Sequence, residues 1–316
     1  MKSKTLLIIG GSGFFAKSIL DYISDCILFK DIKTILLLSR GINKIKISNK
    51  LKKKIEIKKI RADISKLKKI PYADYVIYCV INHSLNYKQD YNAVCNYCKL
   101  AKKYHSKSKI LYASSGAVYG QQPVNIKKIK ENYLSLNKKI YFKNSSKNFY
   151  SMSKLKSEKI FQKLGKSGIK ISVARCFAFV GKHLPRNDGF AIGNFIDNII
   201  KNKVIKINSS HDVIRSYMYA DDLARWLLQM VFSANNKCPT YNLGSDSEIS
   251  IFELANFLSK KYNATISSKQ IKNSNFVDRY VPSISKAKNK LKLNIEYGNL
   301  QAVIKTIELL RNEKTN

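Results

Sequence analysis

Tyr150 and Lys154 stand four positions apart in the stretch YSMSK, residues 150–154. On a helix that spacing puts both side chains on one face, one turn apart. A phenol, with a free pKa of about 10, is a poor acid or base near neutrality. An ammonium held beside it favours the phenolate, so the pair could exchange a proton with an alcohol or ketone at cellular pH. The same spacing is common on helix surfaces. This chemistry therefore needs a cofactor and a third polar group from elsewhere in the chain.

The candidate cofactor site lies near the start. KTLLII (4–9) reads as a short buried strand, followed by glycines and a helical pattern from Phe14 toward Ile23. A strand, a glycine turn and a helix N-terminus let the backbone approach a dinucleotide pyrophosphate, whose charge the helix dipole favours. Gly10, Gly13, Phe14 and Phe15 are the candidate contacts. The next strand, TILLLS (34–39), ends at Ser39-Arg40, where an acid would favour the ribose hydroxyls of NAD. A hydroxyl and a guanidinium suit a 2′-phosphate instead, so NADP is the expected cofactor and NAD the alternative. Asp63, just past the third strand, either caps the following turn or contacts the adenine. Ser114, Ser115 and Gly116 stand at the end of a fifth strand, KILYAS (109–114). Ligands gather at that end of such sheets, which makes a serine there the candidate third group.

Strands at 4–9, 34–39, 55–60, 74–80, 109–114 and 169–177 alternate with helical segments, the pattern of a parallel, doubly wound α/β sheet. Residues 87–104 read as a helix, and the polar, lysine-rich 121–149 as a loop before the Tyr150 helix. Past 177 the pattern is irregular, with helices near 190–201, 221–232 and 251–261. The expected organisation is a nucleotide-binding domain over 1–175 and a smaller α/β substrate-binding domain over 176–316, partly interleaved with it.

The chain has 316 residues, 45% hydrophobic and 11% aromatic, the composition of a globular protein of one or two domains. No apolar run approaches the length needed to cross a bilayer. The opening MKSKTLLIIGG is too short for a signal peptide and no small-residue cleavage site follows it, so a cytoplasmic setting is expected. The six cysteines are then expected as reduced thiols. Cys95 and Cys98 form a lone C-x-x-C without the second ligand pair of a zinc site, so no metal is expected. Lys and Arg outnumber acids 58 to 21, and a net charge of +37 would attract polyanions. The lysines are spread along the whole chain, with no aromatic-interleaved basic cluster, so nucleic-acid binding is not the expected role.

The order of these parts resembles an extended short-chain dehydrogenase/reductase of the NAD-dependent epimerase/dehydratase family, which modifies nucleotide sugars. GGSGFFA (10–16) is similar to its glycine motif, and YASSGAVYG (112–120) to its serine-bearing strand end. YSMSK is similar to its tyrosine–lysine pair and ARCFAFVG (174–181) to the following strand and turn. RSYMYADDLA (215–224), YNLGSDSEISIFELA (241–255) and RYVPSISKAK (279–288) resemble later blocks. The resemblance implies a Rossmann-type fold, a homodimer through the Asn92 and Tyr150 helices, and Asp63 and Asn92 on the cofactor side. It assigns the catalytic hydroxyl to Ser115 and proton exchange to Tyr150, with Lys154 supporting Tyr150 and holding the nicotinamide ribose. Asn194, Arg215 and Arg279 match positions that contact the nucleotide-diphosphate sugar, guanidinium forks being suited to phosphate oxygens.

Two departures narrow the implied reaction. Dehydratases of the family place Asp-Glu directly after the hydroxyl residue, and decarboxylases a Glu at the second of these positions. Gly116 and Ala117 stand there in this chain, and neither transfers a proton. Ala178 replaces an asparagine that many members hold near the substrate phosphates. The expected activity is hydride transfer at a hexose carbon, C4, without elimination. One form is a ketoreductase of a 4-keto-6-deoxy nucleotide sugar; the other is a C4 epimerase with retained NAD. A non-catalytic dinucleotide- or RNA-binding protein is the remaining alternative, and the intact Ser115, Tyr150 and Lys154 speak against it.

Overall fold

The runs LLII (6–9), ILLL (35–38) and VIY (76–78) lack polar alternation, as strands buried on both faces require. A computed structural model describes residues 3–26, 31–80, 87–136, 145–186, 190–268 and 276–315. Its first part comprises β1 (Lys4–Ile9), α1 (Phe14–Asp25), β2 (Ile32–Ser39), α2 (Asn49–Lys52), β3 (Glu56–Arg61) and β4 (Tyr75–Tyr78). There follow α3 (Tyr87–Tyr104), β5 (Lys109–Ser115), α4 (Tyr133–Leu136), α5 (Ser145–Lys166), β6 (Lys170–Cys176) and β7 (Phe179–Val180). Next come α6 (Ala191–Ile200), β8 (Ile205–Ile207), β9 (Asp212–Arg215), β10 (Met218–Tyr219), α7 (Ala220–Phe232) and β11 (Thr240–Leu243). The chain ends with β12 (Ile249–Ser250), α8 (Ile251–Tyr262), β13 (Ile266–Ser268), β14 (Val277–Tyr280), α9 (Ser285–Leu291) and α10 (Asn299–Thr315).

Seven parallel strands form the main sheet, in the order β11-β6-β5-β4-β1-β2-β3. This is the doubly wound architecture expected from the alternating pattern. The winding reverses between β1 and β4, which opens a crevice beyond their carboxyl ends. Helices α1 and α7 bury one face of the sheet around Ile19, Leu223 and Trp226. Helices α3 and α5 bury the other around Tyr97, Tyr112 and Phe161. Past residue 176 the chain builds three small sheets, β10-β7, β12-β9-β14 and β13-β8, and returns to the main sheet through α7 and β11. A third core, around Phe195, Leu254 and Ile307, joins α6, α8 and α10.

The stretch 121–149 departs from the loop reading. It contains α4, and α5 begins at Ser145, ahead of Tyr150, while 137–144 lie outside the described residues. Its run of lysines and asparagines has no apolar period by which a helix start could be read. All six cysteines are free thiols.

His105, just past α3, is fully enclosed. Its Nε2 lies 2.9 Å from the Pro71 carbonyl oxygen and its Nδ1 3.3 Å from the Tyr97 hydroxyl. A carbonyl only accepts, so Nε2 carries the proton and Nδ1 accepts from Tyr97. Burial holds this imidazole below its ordinary pKa, against the opposing pull of the Pro71 bond. The unfolded chain binds the proton more readily than the fold, so stability is complete above about pH 6.5 and is lost as pH falls below it. The urea midpoint should decline more steeply on acidification in the wild type than in His105→Gln. Equal slopes would remove His105 as the cause.

Candidate active site

Gly10 ends β1 with φ +101°, and a Cβ there would lie 2.7 Å from the Cys79 carbonyl oxygen at the end of β4. Only glycine lets the turn close this tightly at the switch point. Gly13 then caps α1 with no side-chain hydrogen bond, and no acid stands in the first turn. The leading N–H groups of α1 are thus unclaimed by a cap, which fits the pyrophosphate of a dinucleotide. The Phe15 ring packs edge-on against Phe179, 5.4 Å between centroids, so Phe15 offers a ligand its backbone. Phe14 opens the helix beside it, its ring near Gly181.

At the end of β2 the hydroxyls of Ser39 and Ser12 lie 2.7 Å apart, and the Gly41 N–H donates to Ser39 Oγ at 3.3 Å. Arg40 is exposed beside them. Asp63 Oδ1 accepts from the Ser65 N–H at 2.9 Å and from Ser65 Oγ at 2.7 Å, so this carboxylate does cap the following turn. Burial pulls its pKa upward, but the Ser65 bonds and the Arg40 charge hold it below the usual range.

Lys154 is only 5% exposed, with Nζ 5.4 Å from the Tyr112 ring centroid and 5.9 Å from that of Tyr150. Burial works against the ammonium, yet Tyr112, Tyr150 and Asp90 outweigh it and hold its pKa above the ordinary value. The amine therefore stays charged beside Tyr150. Two hydrogen bonds fix α5 against β5 and the turn that follows it. Ser151 Oγ donates to the Ala117 carbonyl and Ser114 Oγ donates to Glu158 Oε1, each at 2.6 Å. Lys154 lies between these anchors and Tyr150 adjoins the first. Ser115 Oγ accepts from the Ala117 N–H at 3.1 Å, which sets its rotamer at the strand end.

Tyr280 enters this group from β14. Its hydroxyl lies 3.4 Å from the Cys176 carbonyl oxygen and within reach of Ser115. Burial pushes its phenol above the usual pKa, with Ser115 opposing and Tyr150 adding to the shift. A Cβ on Gly116 would meet Phe177 Cζ and Tyr280 Oη, both at 2.7 Å, so a side chain at 116 would have to displace these two ring ends.

Arg215 is in register with Tyr280 across β9 and β14, and its charge acts on Tyr280. Its Nη2 sits 2.8 Å from Asp278 Oδ2, so it borders the Ser115–Tyr150 group as an ion pair. Arg279 does not join this group. Successive strand side chains project to opposite faces, and with Tyr280 turned inward Arg279 pairs with Glu248 on the other face. Asn194, half-buried in the first turn of α6, has no hydrogen bond to the group among the described residues. Asn92 is exposed on α3. The helical period turns Asp90 and Val94 toward Lys154, and Asn92 lies off that face. Tyr280, Ser151 and Glu158 were not singled out by the sequence. Tyr280 alone carried a signal, inside the RYVPSISKAK block.

A dinucleotide crevice with a tyrosine–lysine pair at its rim is the architecture of the short-chain dehydrogenases/reductases. The chain belongs to the NAD dependent epimerase/dehydratase family, whose profile matches residues 6–244. Among curated proteins it is similar to UDP-glucuronic acid decarboxylase 3 of Arabidopsis thaliana, 29% identical over 125 residues. That match covers 39% of this chain and 36% of the relative, little more than a third of its length. Among solved structures, UDP-glucose 4-epimerase of Thermotoga maritima with UDP-glucose is 17% identical, covers 98% of this chain and 99% of its own, and gives a TM-score of 0.76. dTDP-glucose 4,6-dehydratase of Bacillus anthracis with NAD is 15% identical, covers 99% and 98%, and gives 0.78. These likenesses extend the shared fold to the whole chain. Among the described residues, no helix is long and apolar enough to cross a membrane, and no cluster of His, Cys, Asp or Glu could hold a metal ion.

Proposed function

We propose that this protein is an NAD(P)-dependent oxidoreductase that transfers hydride at C4 of a nucleotide-diphosphate hexose, as a reductase of a 4-keto-6-deoxy sugar. The nicotinamide supplies the hydride when bound. Tyr150 gives its proton to the sugar oxygen, and the Lys154 ammonium stabilises the phenolate left behind. Ser115 donates a hydrogen bond to the same oxygen and orients the carbon. The turn from Gly10 to Phe15 holds the pyrophosphate, and Ser39 with Arg40 holds a 2′-phosphate. Arg215 grips the substrate diphosphate, giving up part of its Asp278 pair.

The observation that carries this reading is that Gly116 and Ala117, directly after Ser115 at the end of β5, have no side chain that transfers a proton. Dehydration and decarboxylation need an acid beside the hydroxyl residue, and here Gly116 is packed against Phe177 and Tyr280 while Ala117 has no proton to give. The partial likeness to decarboxylases covers too little of those proteins to carry their reaction to this chain. A C4 epimerase with retained NAD uses the same residues and is the second reading; the Ser39–Arg40 end of β2 favours the reductase. A homodimer through α3 and α5 is part of the proposal, supported by Phe149 and Met152 exposed on α5.

The cofactor itself separates the two. Denature the purified protein, identify any released nicotinamide nucleotide by mass spectrometry, and titrate the untreated protein with NADPH and NADH. Empty protein that prefers NADPH is the expected result. Near-stoichiometric NAD carried through purification would make the epimerase the reading.

A further inference from the structure

The main sheet ends on β3, and among the described residues no strand or isolated bridge pairs with its outer edge. Just past β3 the Ala62 N–H donates to the Ser39 carbonyl on β2, at 3.3 Å. A strand turns the backbone groups of successive residues to opposite sides, so Ile57, Lys59 and Arg61 hold their N–H and C=O outward. No turn, loop or helix of the described residues bonds to these groups. Such an open edge is a template on which another extended chain can pair.

Lysine occurs throughout the chain but is densest here: eight of the sixteen residues 46–61 are Lys or Arg, against 58 of 316 overall. All eight are exposed, while Leu51, Ile55 and Ile57 seat the segment on the α1 face of the sheet. Among the described residues only Lys50 and Lys58 of the eight are in ion pairs, with Asp25 and Glu56. Glu56 is the one acid of the segment. Ile57 packs into the α1 core and Ile60 into the α3 core. Strand alternation therefore puts Lys59 and Arg61 on the α1 face, where α2 adds its lysines, and Ile60 on the other.

We propose that the outer edge of β3 docks an extended acidic segment of another protein, in which acidic and β-branched apolar residues alternate. A strand laid on β3 sends its side chains alternately to the two faces. Acids at every second position meet Lys59, Arg61 and the α2 lysines, and the residues between them meet Ile60. Lysines on an edge strand commonly keep other strands from adding. That guard turns away a second copy of this chain, whose edge carries the same cations, and it attracts a strand of opposite charge. Nucleic acid fits the edge less well, because 46–61 contains no aromatic side chain on which a base could stack.

Fluorescence anisotropy on the intact protein, with a short labelled peptide of alternating glutamate and valine, tests this. The peptide should bind and should protect the amides of Ile57, Lys59 and Arg61 from hydrogen exchange. Lys52→Glu combined with Lys59→Glu should weaken binding about tenfold or more. A peptide of alternating glutamate and proline carries the same charge but cannot pair along a strand, and should bind about tenfold more weakly or worse. Equal binding of the two peptides, or no protection at the three amides, would mean that charge alone holds them and would overturn the proposal. A Glu-Val peptide that does not bind overturns it as well. An oligouridylate of the same length that binds more tightly than the peptide at equal salt would make nucleic acid the occupant, and the acidic strand would be abandoned.

Discussion

Replacing Tyr150 with phenylalanine removes turnover, by about 10³-fold or more, and leaves dinucleotide binding and thermal stability close to those of the wild type. The substitution deletes one hydroxyl from a half-exposed ring, so no core cavity opens. Lys154 remains charged, because Tyr112 and Asp90 still act on it, and the pyrophosphate turn at Gly10 is untouched. What disappears is the only proton donor that the proposed reaction uses at the sugar oxygen. Steady-state kcat and a fluorescence titration with NADPH read the two halves separately. Activity retained in this variant would sink the mechanism.

Glu158→Gln is expected to give the largest loss of stability. Arg175 and Glu158 are almost fully buried, and Arg175 Nη2 lies 2.9 Å from Glu158 Oε2. Arg175 Nη1 also donates to the Tyr119 hydroxyl at 2.9 Å, which itself donates to Asn242 Oδ1 at 2.6 Å. One ion pair thus ties α5, β6, β11 and the turn after β5. Removing the carboxylate charge leaves a guanidinium buried without compensation, which costs roughly 3–5 kcal/mol. An apolar replacement of both partners, Glu158→Leu with Arg175→Met, should recover much of this, since no charge is then stranded. Urea denaturation of the three proteins measures it. A Glu158→Gln protein within about 1 kcal/mol of the wild type would mean that solvent reaches the pair.

Most of the main sheet was legible because its strands are continuous apolar runs and its turn at Gly10–Gly13 needs residues without side chains. The Tyr150–Lys154 pair was legible because helical spacing alone puts both on one face. Its surroundings were not, because they come from distant segments. Tyr280 on β14 and Phe177 just past β6 pack against Gly116 from far along the chain, and nothing local to Gly116 announces them. The contrast between Asp90 and Asn92 depends on the rotation of α3, which its packing on α5 sets. Arg279 and Tyr280 are neighbours in sequence, and strand alternation sends only one of them into the site. The strands of two to four residues past 176 are too short to show a period. Helix α10 is a different case: Ala302, Val303, Ile307 and Leu310 form a buried stripe at helical spacing, which is legible in the sequence.

In the proposed reaction hydride reaches a sugar carbon without elimination. It is tested most directly with NADPH carrying deuterium on the transferable face of the nicotinamide and a 4-keto-6-deoxy nucleotide sugar. NADPH oxidation and a product bearing one deuterium at C4, seen by mass spectrometry and NMR, are expected. Product formed without deuterium, or a sugar altered while NADPH is unchanged, would contradict it.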